Sequence, residues 1–251
     1  MIHFVGAGSG AVDLITVRGA KLLSEADQII YAGSLVNTAL LDYAKEGCDL
    51  KDSASMTLEE VIAAMKEAEA AGKMTVRLHT GDPSLYGAHR EQMDLLDEAG
   101  IAYDVTPGVS SFCGAAAALN AEYTLPNVSQ SVIITRMDGR TPVPEGEKLR
   151  KMASHGCTMV LFLSTSLLDA AQEELIEGGY DPDTPAAIVY KATWPDEKVF
   201  RCTVGTLAST ARENNVTKTA LMCIGGFLGD KYDRSRLYDP TFTHGFRQAS
   251  E

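Results

Sequence analysis

The sequence predicts an α/β protein built of two α/β domains, and three observations carry that expectation. Strand-like and helix-like segments alternate along nearly the whole chain. The periodicity lapses once near the middle, between Leu119 and Ser129. The glycine-bearing turns fall where strand-like runs end, which is where open α/β sheets bind ligands. A chain of 251 residues suffices for two modest domains or one large one.

Residues 2–5 read as a buried strand, residues 14–26 carry apolar residues at helical spacing, and residues 28–31 read as a second strand. Thr57-Leu58-Glu59-Glu60 is a capping box, opening a helix that runs to Ala71 before Gly72. A strand over 74–78, an amphipathic helix beginning near Tyr86 and a strand over 102–105 follow. After Pro107-Gly108 comes a small-residue helix through Ala118. This order implies a mainly parallel sheet with helices on both faces. Residues 1–118 are the expected N-terminal domain, 119–130 the connection, and 131–230 the C-terminal domain. In the latter, strands are expected over 131–135, 158–163, 186–190, 198–204 and 220–224, with helices over 145–155, 166–177 and 206–214. Residues 231–251 read as a loose polar tail.

Composition removes several function classes. Hydrophobic residues make up 45% and charged residues 22%, ordinary for a globular protein. No apolar run approaches the roughly 20 residues of a membrane span. Met1 runs directly into a strand-like segment without a basic stretch, so no signal peptide is expected. A net charge of -12 argues against nucleic-acid binding, which needs a basic face. Cys48, Cys113, Cys157, Cys202 and Cys223 are scattered without a C-x-x-C pair, so neither a zinc site nor another metal site is expected. They read mostly as small core residues in a reducing cytoplasm.

The run from His79 to Gly87, His-Thr-Gly-Asp-Pro-Ser-Leu-Tyr-Gly, is the most informative. Gly81 permits positive φ and close approach of backbone to a ligand, and Pro83 stiffens the turn. Asp82 is either an acceptor for a hydroxyl or ammonium group or a local helix cap. Gly6-Ala7-Gly8-Ser9-Gly10 invites a dinucleotide reading, but its third glycine comes one position early. No acid ends the second strand where a ribose would need one, so NAD is a weak reading. Ser110 and Ser111, after Pro107-Gly108, sit at a helix N-terminus, suited equally to capping and to ligand contact. Leu163-Ser164-Thr165 ends a core strand. Arg136 and Arg140 flank a proline-stiffened loop, and Lys191 ends another strand. These three cations suit an anionic ligand or plain solvation. No H-E-x-x-H, G-x-S-x-G or paired-carboxylate pattern is present.

Together these loops resemble one family, the tetrapyrrole (corrin and uroporphyrinogen) methyltransferases that use S-adenosylmethionine. The resemblance runs from Ile2 to about Gly229. It is carried by Val5–Gly10 with Asp13–Gly19, and by His79–Gly87. Three further segments, 31–36, 134–144 and 189–197, resemble the branch that methylates carbon 11 of precorrin-4 or cobalt-precorrin-4. Ser9 stands where the family usually has proline. The resemblance implies the tetrapyrrole methylase fold, with the active site in the cleft between two α/β domains. It implies a methyl donor held mostly by backbone groups of Gly81, Asp82, Leu85, Ser110, Ser111, Leu163 and Ala192, with Thr219 and Ala220 near the adenine. Asp82 is then a positioning acceptor. Gly8 and Ser9 would face the tetrapyrrole, and Arg136, Arg140 and Lys191 would offset its carboxylates. No side chain is expected to act as an essential base, because alignment does most of the work. A cytoplasmic homodimer is expected. The alternatives are a sister methyltransferase acting at another ring position and a non-catalytic tetrapyrrole-binding module.

Overall fold

A computed structural model describes residues 1–249, the side chain of Ser34 excepted. The chain divides into two units: Met1–Gly114 with Thr193–Pro195, and Ala115–Ala192 with Asp196 onward.

In the first unit, β1 (Ile2–Gly6) is buried along its whole length. It is followed by α1 (Val17–Glu25), β2 (Gln28–Tyr31), β3 (Asp49–Asp52), α2 (Leu58–Ala70), β4 (Thr75–His79), α3 (Arg90–Glu98), β5 (Tyr103–Thr106) and α4 (Ser111–Leu119). The boundary between the units falls inside α4. The five strands form one wholly parallel sheet in the order β3-β2-β4-β1-β5. Alternation assigns its faces. Val5, Ile29, Val76 and Leu78 pack with Leu23 on the α1 side, while Ile2, Phe4 and Ile30 pack with Met65 and Leu96 on the α2/α3 side. Each such fully buried side chain contributes roughly 1.5–3 kcal/mol.

This topology creates a switch point. From β1 the chain crosses to β2 on one side, and from β4 it crosses to β5 on the other. The loops leaving β1 and β4 therefore diverge at the carboxyl ends of two neighbouring strands, where such sheets open a crevice.

Helix boundaries differ from the sequence expectation for identifiable reasons. The expected capping box is formed: Thr57 accepts from the Glu60 N–H, and Glu60 accepts from the Thr57 N–H. The first helix starts three residues later than expected, because Thr16 is extended and caps it. The helix expected from Tyr86 starts at Arg90. Tyr86 and Ala88 hold φ of 57° and 46°, which no α-helix tolerates. β3 was not anticipated: its sequence Asp-Leu-Lys-Asp is a polar sheet edge, and charge hides an edge strand from any hydrophobic pattern.

The second unit holds β6 (Val132–Arg136), α5 (Leu149–Ala153), β7 (Thr158–Phe162), α6 (Leu168–Glu177), β8 (Pro185–Tyr190), β9 (Lys198–Thr203), α7 (Leu207–Glu213) and β10 (Ala220–Ile224). Its sheet is mixed, in the order β6-β7-β10-β8-β9. β6, β7 and β8 run one way, and β9 and β10 run against them. The helix expected over 145–155 is cut to α5 because Lys148 is extended. Residues 231–249 carry a short turn at Arg236–Tyr238 and a bridge between His244 and Arg247. Of the cysteines, only Cys223 is buried. Cys48 and Cys202 are half-buried and pack against the cores of the two units, Cys157 is half-buried and Cys113 is exposed. Among the described residues, no helix is long and apolar enough to cross a membrane.

Candidate active site

The first unit gathers three loops at the carboxyl ends of β1, β4 and β5. Their backbones approach so closely that only glycine fits. A Cβ on Gly108 would sit 2.1 Å from the Gly81 carbonyl oxygen, and one on Gly6 would sit 2.6 Å from the Gly108 Cα. Gly8 and Gly81 form a two-way backbone bridge, N–H to oxygen at 3.2 and 3.0 Å. Gly81 itself has φ +60°, which glycine adopts without steric cost.

Asp82 joins the second loop to the third. One carboxylate oxygen accepts from the Ser84 N–H at 2.9 Å and from the Ser84 hydroxyl. The other accepts from the Gly108 N–H at 2.8 Å. Partial burial alone would raise this carboxyl's pKa. The bonds from Ser84 and Gly108 outweigh it and hold the pKa below the usual carboxylate value. Asp82 is thus an ionised structural tie, neither the simple helix cap nor a vacant acceptor. Leu85, half-buried, follows in the same turn, its N–H 3.3 Å from the Asp82 carbonyl oxygen. Ser110 is buried at the entry to α4, with its carbonyl accepting from Cys113 and Gly114, and Ser111 is the first residue of that helix.

Two residues of this site were not picked out from the sequence. Thr193 and Trp194, from the segment between β8 and β9, pack within the first unit. The Thr193 hydroxyl lies 3.0 Å from that of Ser9 and accepts from the Ala11 N–H at 3.0 Å. The Trp194 ring lies against Gly10, where a Cβ would meet it at 2.1 Å. Both lie in the segment 189–197, whose sequence points to Lys191 and Ala192 but carries no local mark of Thr193 or Trp194. Ser9 is buried, and the Thr193 hydroxyl gives it a partner that proline could not use.

The second unit brings its candidates to one edge of its sheet. In the register, Arg136 pairs with Phe162, Met222 with Leu161, and Ala220 with Tyr190. The ends of β6, β7 and β8 and the start of β10 therefore lie side by side, with Leu163, Lys191, Ala192, Thr219 and Ala220 among them. Leu163, Lys191 and Thr219 all hold positive φ, at 52°, 47° and 54°. Such strain in non-glycine residues clusters at ligand clamps. The Leu163 side chain is 67% exposed, unusual for leucine at the end of a core strand. Beneath it, the buried Ser164 hydroxyl accepts from the Met137 N–H at 2.8 Å and donates to the Phe162 carbonyl at 2.6 Å, fixing the ends of β6 and β7. The N–H of Lys191 donates to the Thr219 carbonyl at 2.9 Å, and the Thr165 hydroxyl donates to that of Ala220 at 3.3 Å.

The three cations differ in availability. Arg136 spends its guanidinium on the carbonyls of Met137, Thr141 and Pro142, at 3.2, 2.9 and 2.8 Å. Arg140, in the loop those bonds shape, is exposed. The Lys191 ammonium bonds to Asp196 at 2.7 Å, which raises its pKa, and lies 5.5 Å from the Tyr190 ring centre.

Residues 1–208 match the Tetrapyrrole (Corrin/Porphyrin) Methylases. The chain is 52% identical over 249 residues to a cobalt-precorrin-4 C(11)-methyltransferase of Methanocaldococcus jannaschii, covering 99% of this chain and 96% of that one. The crystal structure of a cobalt precorrin-4 methyltransferase, a cobalamin biosynthetic enzyme, superposes with TM-score 0.89 at 48% identity, covering 91% of this chain and 96% of that one. A Thermus thermophilus uroporphyrin-III C-methyltransferase complexed with S-adenosylhomocysteine superposes with TM-score 0.76 at 25% identity, covering 90% and 98%. With glycine-lined loops at a sheet switch point and a family match spanning both units, this chain belongs to the tetrapyrrole (corrin/porphyrin) methylases.

Proposed function

We propose that this protein transfers the methyl group of S-adenosylmethionine to carbon 11 of precorrin-4 or cobalt-precorrin-4, within corrin synthesis in the cytoplasm, as a homodimer. The observation that carries this reading is the 52% identity, along 99% of the chain, to a cobalt-precorrin-4 C(11)-methyltransferase.

The residues present suit the methyl donor. Gly81 offers bare backbone at φ +60°, and a Cβ there would lie 3.6 Å from the Ser110 Cα and the Ser111 nitrogen, so the glycine faces the start of α4. Ionised Asp82 favours a nearby cation, and Ser110 and Ser111 supply hydroxyls beside a helix N-terminus. Gly81, Asp82, Leu85, Ser110, Ser111, Leu163, Ala192, Thr219 and Ala220 would hold the donor, and Gly8 and Ser9 the tetrapyrrole. When bound, the sulfonium supplies a methyl group already activated for in-line displacement by a ring carbon. What the chain contributes is alignment, and glycine contacts with strained, hydrogen-bonded turns are how a protein fixes geometry without acid–base residues. Arg140 and Lys191 would offset the substrate's carboxylates against a net charge of -12. Arg136 would do so by shaping the loop that presents Arg140.

The test is a single-turnover reaction with carbon-13-labelled methyl donor and each substrate form, with the product mapped by NMR. Label at carbon 11 is expected. Label at another carbon would establish a sister methyltransferase, and tetrapyrrole binding without transfer would establish a binding module.

A further inference from the structure

Under the loop 80–88 lies a buried polar cluster that the site does not use. Arg77 and His79 point from β4 to the α2/α3 side of the sheet, opposite to Val76 and Leu78. Both are more than nine-tenths buried, as is Gln92 of α3. Among the described residues, no carboxylate pairs with Arg77. Its Nε donates to Gln92 Oε1 at 3.2 Å, and its Nη1 donates to the Ile30 carbonyl at 3.1 Å. The Gln92 amide has a second bond, Nε2 donating to the Ala88 carbonyl at 3.0 Å.

A buried guanidinium held only by neutral acceptors is costly, and an apolar pair would pack the same space. The arrangement does one thing an apolar pair cannot: it holds the carbonyl of a residue with φ 46°. Ala88 and Tyr86 are two non-glycine residues in left-handed conformation within three positions, a strained arrangement for residues that carry a Cβ. That strain persists only where the surroundings fix it. Gln92 is the side chain that bonds the Ala88 carbonyl, and Arg77 fixes which way the Gln92 amide faces, since it claims the oxygen and leaves the nitrogen for Ala88.

We propose that Gln92, oriented by Arg77, is a positioning residue that sets the affinity for the methyl donor by holding the 86–88 turn, and through it the loop Gly81–Leu85. This rests on the reading that residues 81–85 hold the donor. Neither Gln92 nor Arg77 touches a ligand in this account.

The experiment uses the full chain with Gln92→Glu. That change keeps an acceptor for Arg77 and removes the hydrogen-bond donor to Ala88. Calorimetry with S-adenosylhomocysteine and titration with tetrapyrrole are run beside the parent. Weakening of S-adenosylhomocysteine binding by about tenfold is expected, with tetrapyrrole affinity within twofold of the parent. Amide hydrogen exchange should quicken in residues 82–88. S-adenosylhomocysteine affinity within twofold of the parent, in a folded variant, overturns the inference. A parent that binds no S-adenosylhomocysteine overturns the donor-loop reading, and the inference with it. If Gln92→Glu does not fold, the double variant Arg77→Met, Gln92→Met replaces both partners with apolar groups of similar length. The same two outcomes then apply.

Discussion

The carboxylate of Asp82 accepts the backbone N–H of Gly108 at 2.8 Å, across 26 residues of sequence. One side chain thereby sets the distance between the loop after β4 and the loop after β5. Asp82→Ala removes this bond and both bonds to Ser84. A hydrogen bond to a charged group is worth about 1.5–3 kcal/mol. The variant should lose stability of that order, measured by urea denaturation, and bind S-adenosylhomocysteine at least tenfold more weakly. Asp82→Asn, which keeps an acceptor, should recover part of both.

The glycine contacts predict a graded series. Gly108→Ala drives a methyl group to within 2.1 Å of a carbonyl oxygen and cannot be accommodated without moving β4 or β5. It should yield protein destabilised by more than about 3 kcal/mol, or none. Gly146→Ala, where nothing lies within 4 Å, should change the melting temperature by no more than a degree or two. Equal effects at the two positions would contradict the packing described.

Thr193→Val removes the hydroxyl shared by Ser9 and the Ala11 N–H while preserving shape. The expectation is a several-fold loss of tetrapyrrole affinity with S-adenosylhomocysteine binding intact, read by parallel titrations. The reverse pattern would assign the first glycine loop to the methyl donor instead.

The pH dependence of stability should carry the mark of His79. Burial, then the neighbouring Arg77 and His89, push its pKa from the usual 6.5 down to about 3, against a smaller opposing bond to the Gly87 backbone. Its Nε2 has no hydrogen-bond partner among the described residues. The native state therefore stays neutral where the unfolded chain takes up a proton. Stability is full above pH 6.5 and falls as pH drops toward 3, by up to about 1.4 kcal/mol per pH unit. His79→Phe, which can stack on Phe4 as His79 does at 5.9 Å, should flatten that slope. An unchanged slope would show that other groups govern acid unfolding.

The two arginines of the 136–144 loop should separate. Arg140→Ala should weaken tetrapyrrole binding with a reduced dependence on salt, while its melting temperature stays fixed. Arg136→Ala releases three carbonyls and should lower both the melting temperature and tetrapyrrole affinity. If only Arg136→Ala acts, the charge of Arg140 plays no part in recognition.

The legible parts of this fold were those set by neighbours in sequence. The capping box at Thr57, the buried run Ile2–Gly6 and the glycine turns can all be read from a few adjacent residues. What hid was set by distant ones. β3 is a strand because β2 offers it an edge, not because Asp-Leu-Lys-Asp has a strand pattern. The antiparallel β10, inserted between β7 and β8, leaves no trace in an alternation of strands and helices. The same divide runs through the site. Gly81 and Ser110 declare themselves by local chemistry, whereas Thr193 acquires meaning only from Ser9, 184 positions away. Arg136 reads in sequence as a ligand for carboxylates because its loop is visible there, whereas the carbonyls it also bonds are placed by the fold.

The three residues Thr193–Pro195 belong to the first unit although the second unit encloses them in sequence. A gene fragment ending at residue 114 would therefore encode an incomplete unit, with Gly10 stripped of its indole cover and Ser9 of its partner. The complementary fragment would carry an orphaned tryptophan. Neither half is a module that recombination could lift into another protein intact. Splicing at the midpoint, the seam a sequence would suggest, parts the first unit from the three residues that complete it well downstream. Any hybrid between relatives must exchange the β8–β9 connection together with the N-terminal half.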